Sequence, residues 1–432
     1  MPFEARSVAA KRVVVIGGGI SGLGAAFHLA ENSHVVLMEA NKRLGGHART
    51  VIAGKNGDQP VDTGFIVFNH RNYPHLTRLF EDLEVPTVKS NMSFGVSARG
   101  GALEYGLADV NTIFSQRSNV VRPRFLKMIR DILRFNAKAD EVASPDMTIG
   151  ELIGTLGLGA WFRDYYLTPF SGAIWSTPTA HILDFPARAM IEFFKNHGLL
   201  GYYGDPQWYT VQGGSIEYVT RLGNALDSRG VDVRLGAVVK SVRRTAFGVE
   251  VRCEGGEWEA FDEVVFATHS DETLAMLSDA NGTERTGLGA IRYQSNSAVL
   301  HCDASVMPKR KKVWSSWSFV DTGKSPDDPI DLSYWMNSLQ PIPHEDPMFV
   351  TLNRTAPIRE ELIYDQAEFR HPVYDLAAFE AQKLMRAING ANSTWFCGAW
   401  MKNGFHEDGL ASAVDVVEAM AMADIAPAMA AE

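Results

Sequence analysis

Cysteine is scarce: Cys253, Cys302 and Cys397 are the only three, far apart and in no Cys-x-x-Cys pair. That excludes a disulfide framework and a cysteine-ligated zinc site, so no metal is expected and a reducing compartment is. Long apolar runs are missing too, since none approaches the roughly 18 residues of a membrane span. The first residues carry Glu4 and reach the first strand pattern without a signal-peptide apolar region, so the chain reads as cytoplasmic. Positive charge is in deficit, with 41 Lys and Arg against 51 Asp and Glu and a net charge of −10. General nucleic-acid binding is excluded on that ground. No linker or low-complexity run separates blocks, and oligomeric state is not legible.

What is present begins with a strand, a glycine turn and a helix. Val13, Val14, Val15 and Ile16 read as a buried strand, Gly17-Gly18-Gly19-Ile20-Ser21-Gly22 as the turn, and the stretch to about residue 33 as the helix. A second strand covers residues 34–38 and ends on Glu39. The spacing Gly-x-Gly-x-x-Gly answers three steric demands: a tight turn at Gly17, backbone approach to a pyrophosphate at Gly19, and close helix-on-strand packing at Gly22. Ile20 and Ser21 open the helix, whose free N–H groups point at that pyrophosphate. Glu39 is placed to accept hydrogen bonds from a ribose. In Ala40-Asn41-Lys42-Arg43-Leu44-Gly45-Gly46-His47-Ala48, Arg43 is placed to neutralise phosphate, and the glycine pair lets backbone lie against an extended dinucleotide.

From about residue 71 the pattern turns to helices. Between Phe125 and Lys138, the cations Lys127, Arg130, Arg134 and Lys138 share one helical face and Phe125, Ile129, Ile132 and Leu133 the other. Two readings stand: a solvated face, or contact with anionic lipid at the inner face of a membrane. A second basic run, Lys309-Arg310-Lys311-Lys312, leads into Trp314 and Trp317 and carries the same two readings. Residues 161–209 are crowded with aromatics, which read as core or as a pocket for a long apolar substrate; Trp175, Phe193, Phe194 and Tyr202 are the pocket candidates. His197 reads as a structural histidine or a base. Ser215 is placed to cap a helix to Ser228 that Gly230 ends, and a strand follows at residues 231–235. Strand-like runs recur between Ile291 and Leu384.

The Gly-x-Gly-x-x-Gly turn, the Arg43-Leu44-Gly45-Gly46 run, the segment Val61-Asp62-Thr63-Gly64-Phe65-Ile66-Val67-Phe68-Asn69 and the final Cys397-Gly398-Ala399 with Gly404-Phe405-His406-Glu407-Asp408-Gly409-Leu410 together resemble the flavin-containing amine oxidase superfamily. The resemblance implies an α/β fold in which a Rossmann-type FAD-binding domain (residues 11–70, 206–290 and 390–425) is interleaved with an α+β substrate domain (71–205 and 291–389). It implies noncovalent FAD. Contacts are expected from Thr63, Gly64, Phe65 and Ile66 along the flavin, from Val239 at the adenine, from Ala267 and Gly398 at strand ends, and from Phe405, Asp408, Gly409 and Leu410 under the ring, with Ala40, His47 and Ala48 at the mouth. The helix opening at His406 would stabilise negative charge on the reduced ring.

Two departures bear on chemistry. His47 stands where the superfamily usually has arginine, and Asn296 and Ser297 stand where amine oxidases place a lysine, which weakens amine oxidation as the activity. More closely, Asp62-Thr63-Gly64-Phe65, Ala173-Ile174-Trp175-Ser176-Thr177-Pro178, Asn196-His197-Gly198 and Gly404-Phe405-His406-Glu407 resemble a bacterial family of FAD-binding oxidoreductases that includes desaturases of methyl-branched fatty acyl chains in furan fatty acid synthesis. The implied reaction is hydride loss from an acyl chain of a phospholipid to flavin N5, with His406, Glu407 or His197 as the base. An amine or amino-acid oxidase and an FAD-dependent double-bond isomerase are the alternatives.

Overall fold

The apolar run Arg12–Ile16 becomes the central strand of a five-stranded parallel sheet, buried on both faces as its composition requires. His34–Glu39 and Glu263–Phe266 flank it, with Asp232–Leu235 and Thr394–Phe396 at the edges. The structure is a computed structural model and describes residues 10–196, 199–200, 206–321, 323, 325–355 and 357–430. Strands far apart in sequence therefore end side by side. Ligands of open parallel sheets sit beyond such carboxyl ends.

Helix Ile20–Leu29 packs on one face of this sheet, crossed by helix His406–Ala430. The crossing is close because Gly24 leaves room for the Leu410 side chain and Gly409 for Ile20 and Ser21. Helix Ile216–Ser228 adds Tyr218, Val219, Leu222 and Leu226 to the same core.

Two helices from outside the expected cofactor ranges also pack on the first sheet. Helix Pro74–Asp82 buries Leu76, Leu79 and Phe80 with Val13 and Val15. Helix Leu376–Ile388 covers the opposite face, with Ala378, Ala381 and Met385 against Val14 and Ile16. Both are amphipathic helices closing the faces of a sheet that has no water-facing side.

A second sheet of seven strands runs Ile363–Val373, Arg292–His301, Phe349–Leu352, Leu332–Trp335, Trp317–Val320, Phe94–Ala98 and Leu103–Gly106. Helices of residues 123–196 pack beside it around Phe125, Phe135, Phe162 and Phe194. Within helix Pro123–Val142 the lone acid of the basic stretch, Asp131, is buried and accepts from Lys127 Nζ at 2.7 Å and Gly159 N at 2.9 Å.

Asp62 joins the units. Its carboxylate is 1 % exposed and accepts from Ser215 N (2.9 and 3.0 Å), Ser215 Oγ (2.7 Å), Thr50 Oγ1 (2.6 Å) and Gln340 Nε2 (2.9 Å). Ser215, expected as a helix cap, spends its hydroxyl here; its own helix has no side-chain cap. Asp62→Ala leaves several buried donors unpaired, and a loss of about 3 kcal/mol in urea unfolding is expected. Asp62→Asn, which keeps the shape, is expected to lose less.

Candidate cofactor and substrate site

A cleft of about 1990 Å³ runs from the ends of the parallel strands to the second sheet and the aromatic helices. That is roughly twice the upper volume of an ordinary small-molecule pocket, about 1,000 Å³, so a dinucleotide and a second ligand both have room.

At the sheet end, Gly17 has φ +109° and its N–H donates to Met38 O at 2.8 Å, which turns the chain directly from strand to helix. A Cβ on Gly22 would overlap the Gly17 carbonyl oxygen. The helix opens at Gly19 without a side-chain cap, leaving its first N–H groups free for an anion. Gly45 N donates to Gly18 O at 2.8 Å, and a Cβ on Gly46 would lie 2.9 Å from Gly19 Cα, so the two glycine runs lie against each other. Glu39 is buried; Gly18 N donates to it at 2.6 Å and Asn41 N and Nδ2 at 2.7 Å, which fixes the carboxylate at the strand end.

Arg43 was expected on phosphate. Its guanidinium instead donates to the carbonyls of Gly46 (2.8 Å), Ala48 (3.1 Å) and Leu44 (3.2 Å), bracing the loop from within while still lining the cleft. The Asp-Thr-Gly segment closes on that loop: Phe65 N donates to His47 O at 3.0 Å, and a Cβ on Gly64 would overlap the same oxygen.

Of the expected cofactor contacts, Gly17, Gly19, Ile20, Ser21, Glu39, Ala40, Arg43, Gly46, His47, Thr63, Gly64, Phe65, Ile66, Val239, Ala267, Gly398 and Phe405 line the cleft. Gly22, Gly45, Ala48, Asp408, Gly409 and Leu410 do not; they stand behind the lining and shape it. Asp408 accepts from Phe405 N at 2.9 Å, capping its own helix, and burial pushes its carboxyl up to about 6. The Cys397 thiol is fully buried off the cleft and pushed up to about 12.

Glu407, expected as a base, is a correction. Its two oxygens accept from His75 N and Leu76 N, both at 2.9 Å, so it caps helix Pro74–Asp82 across 331 positions of sequence and lies off the cleft. Glu407→Ala is expected to lower stability by about 1–2 kcal/mol in chemical unfolding, and Glu407→Gln by less, with the flavin spectrum unchanged in both.

Among the described residues, four imidazoles line the cleft: His47, His269, His371 and His406. Burial pulls them down to about 4, 4, 3 and 3 respectively, so all are neutral at physiological pH. His406 stacks on Phe65 (centroids 4.0 Å apart, planes 12°) with Nε2 2.6 Å from Tyr218 OH, which orients the ring but occupies that nitrogen. His47 donates to the Arg370 backbone carbonyl, and its Nε2 is buried without a partner.

The tautomer of His371 follows from a chain of fixed donors. Ser297 N–H donates to Asn353 Oδ1 (3.0 Å), Asn353 Nδ2 to Asn296 Oδ1 (2.8 Å), and Asn296 Nδ2 lies 3.1 Å from His371 Nδ1. Both amides are pinned again by backbone carbonyls, Asn353 Nδ2 by Ile330 O (3.2 Å) and Asn296 Nδ2 by Gln294 O (3.2 Å). His371 Nδ1 must therefore accept, which leaves its hydrogen on Nε2. Asn296, at the place expected of a lysine, is thus a buried orienting group, and the only lysine lining the cleft among the described residues is exposed Lys89. Sequence reasoning missed His269 and His371. The first lies two positions past Ala267, which was expected at a strand end; the second sits in no motif.

At the far end, Trp175 and Phe193 line the cleft, and Phe193 stacks on Phe405 with centroids 4.9 Å apart. Phe194 is a correction: it is 1 % exposed and packs on Phe135, Phe170 and Trp175 as core. His197 and Tyr202 lie outside the described residues. Between residues 94 and 199 the lining holds Phe94, Leu107, Ile129, Ile132, Tyr166 and Phe170 among others, and no charged side chain among the described residues. No group of three or more His, Cys, Asp or Glu among the described residues is arranged to hold a metal, and no helix among them is long and apolar enough to cross a membrane.

A glycine turn, an uncapped helix N-terminus and an acid at the next strand end define a dinucleotide-binding protein of Rossmann type. Residues 20–341 match the flavin containing amine oxidoreductase family, and the chain belongs to it, a class of FAD-dependent oxidoreductases; FAD is its cofactor. Among curated relatives, the hydroxyneurosporene desaturase of Rubrivivax gelatinosus is 26% identical over 291 residues, 59% of this chain and 53% of that protein. The L-amino acid oxidase of Cerastes cerastes is 54% identical over 41 residues, 9% of this chain and 8% of that protein. The match thus spans from less than a tenth to about half of these relatives' lengths. Among solved structures, a putative protoporphyrinogen oxidase from Exiguobacterium sp. 255-15 has TM-score 0.70 at 17% identity, covering 95% of this chain and 99% of that one. A CLA-producing fatty acid isomerase from P. acnes has TM-score 0.66 at 14% identity, covering 94% and 98%. Both likenesses are of fold.

Proposed function

We propose that the protein is a desaturase that removes two hydrogens from fatty acyl chains, with methyl-branched chains of phospholipids as the class the sequence resemblance favours. The observation that carries this reading is the charge-free apolar lining between residues 94 and 199, continuous with the cofactor end. A protonated amine or an amino acid would require a buried counter-charge there; an alkyl chain requires none.

Bound FAD supplies a two-electron acceptor. The chain's own residues hold the acyl chain against it, exclude water and take a proton. A carbon next to an electron-deficient allylic or branched centre is strongly acidic, so a weak, desolvated base suffices. We assign that role to His47, which lines the cleft and whose buried Nε2 has no hydrogen-bond partner, in place of His406, whose Nε2 is held by Tyr218.

The test is anaerobic titration of the holoprotein with methyl-branched unsaturated phospholipid, followed by mass spectrometry. Flavin bleaching and a product lighter by two hydrogens are expected. An unchanged mass with shifted double bonds would make the protein an isomerase, and peroxide released from amines in air would make it an oxidase; either result overturns the reading.

A further inference from the structure

We propose that the cleft is loaded from a bilayer bearing anionic headgroups, and that the outer face of helix Pro123–Val142, with the cleft mouth beside it, is the surface that rests on the lipid. The inference rests on the acyl-chain reading for its purpose, but its evidence is separate. Leu126 and Leu133 are 43% and 48% exposed, and at spacings of four and three they share one outward face with exposed Arg130. Arg134 is exposed one position on. Leu133 also lines the cleft, and so does Val110, which is 72% exposed on the short helix Val110–Ile113. Large apolar side chains thus face water and the cleft interior together, so the mouth is rimmed by an apolar lip.

The cations around that lip match a negative surface. Lys127 is paired with Asp131 and Lys138 with Glu141, whereas Arg130 and Arg134 make no ion pair among the described residues. Asp140, at the far end of the helix, is neutralised by Arg188 and Lys195. The second basic run adjoins the start of the helix, because Arg122 Nη1 donates to Ala102 O (2.9 Å) and Lys309 Nζ to Gly100 O (2.9 Å) in one turn. In that run Arg310 is committed to buried Glu104, and Trp314 packs inward on Trp335 and Phe349. Trp314 is therefore structural, not an anchor. Exposed leucines interleaved with unpaired arginines, on a protein whose net charge is −10, form the local pattern that seats a helix in a headgroup layer.

Sedimentation of the holoprotein with vesicles tests this without reference to turnover. Binding to phosphatidylglycerol-containing vesicles is expected to exceed binding to phosphatidylcholine vesicles by about tenfold or more and to weaken with salt. The double variant Arg130→Glu/Arg134→Glu is expected to lose that binding, and Leu126→Asp to lose it as well, with flavin content and melting temperature unchanged in both. Equal sedimentation of wild type and both variants, or no sedimentation with anionic vesicles, overturns the proposal. If the protein sediments but no acyl lipid bleaches the flavin, the substrate reading fails and this surface stands. If detergent-dispersed lipid bleaches the flavin and vesicles do not bind, this surface fails alone.

Discussion

Gly64→Ala is expected to yield a nearly colourless protein, with affinity for FAD lowered by about 100-fold or more. At this position the Asp-Thr-Gly segment and the loop of residues 45–48 touch: Gly64 lies against the His47 carbonyl oxygen, which also accepts from Phe65 N at 3.0 Å. A methyl group has no space there, and the obstacle is backbone, so one loop must retreat and the Phe65 bond lengthen or break. Overpacking of this kind costs about 1–3 kcal/mol, a lost buried hydrogen bond about 1 more, and both loops line the cofactor end of the cleft. A penalty near 3 kcal/mol is about 100-fold in affinity. Gly154→Ala is the control: the position is helical with nothing near its Cβ, and full flavin content is expected. Calorimetric titration of apoprotein with FAD measures both. A Gly64→Ala protein that retains full flavin would contradict the placement of the two loops.

Acidification is expected to destabilise the apoprotein steeply between pH 6.5 and pH 5. Burial pulls down the imidazole of His28 and, further, those of His47, His269, His301, His371 and His406, the last five to about 4, 4, 4, 3 and 3. A histidine lowered on folding contributes stability that is complete above its unfolded value near 6.5 and is lost as the pH falls below it. Asp62 and Asp408, pushed up to about 6, work in the opposite sense, since the folded form takes up their protons first. For these seven groups alone, five imidazoles gaining protons on unfolding and two carboxyls losing them leave about three near pH 5, or on the order of 2–4 kcal/mol per pH unit once partial exposure is allowed for. His301, off the cleft and held between Thr351 Oγ1 (2.8 Å) and Asp303 N (3.0 Å), isolates one contribution. His301→Gln is expected to reduce the slope by about one proton. Urea unfolding across this range, with no change in stability, would contradict the neutral cluster.

The cofactor half of the molecule was legible because its demands are local. A turn that must fold tightly, a helix that must touch a strand and a strand buried on both faces each dictate residue types within a few positions, and Gly17, Gly22 and Val13 sit where those rules put them. Side-chain direction was not legible. Arg43 announced a cation near phosphate, yet its guanidinium turned to the carbonyls of its own loop. Glu407 looked like an acid at the start of its own helix, but the N-terminus that uses it belongs to Pro74–Asp82. His371 carries no motif, because its orientation is set by Asn296 and Asn353 on neighbouring strands whose register only the folded sheet determines. Phe194 and Trp314 were aromatics in aromatic company, and only packing separates a wall of the cleft from the core behind it.

Segments from the beginning, middle and end of the chain line the cofactor end of one cleft, so one FAD per chain is expected. That expectation is tested most directly by denaturing the purified yellow protein and quantifying the nucleotide released per chain. One free FAD for each polypeptide, none left on the precipitate, is the predicted result. A protein that is colourless as purified and stays colourless after incubation with FAD would contradict it.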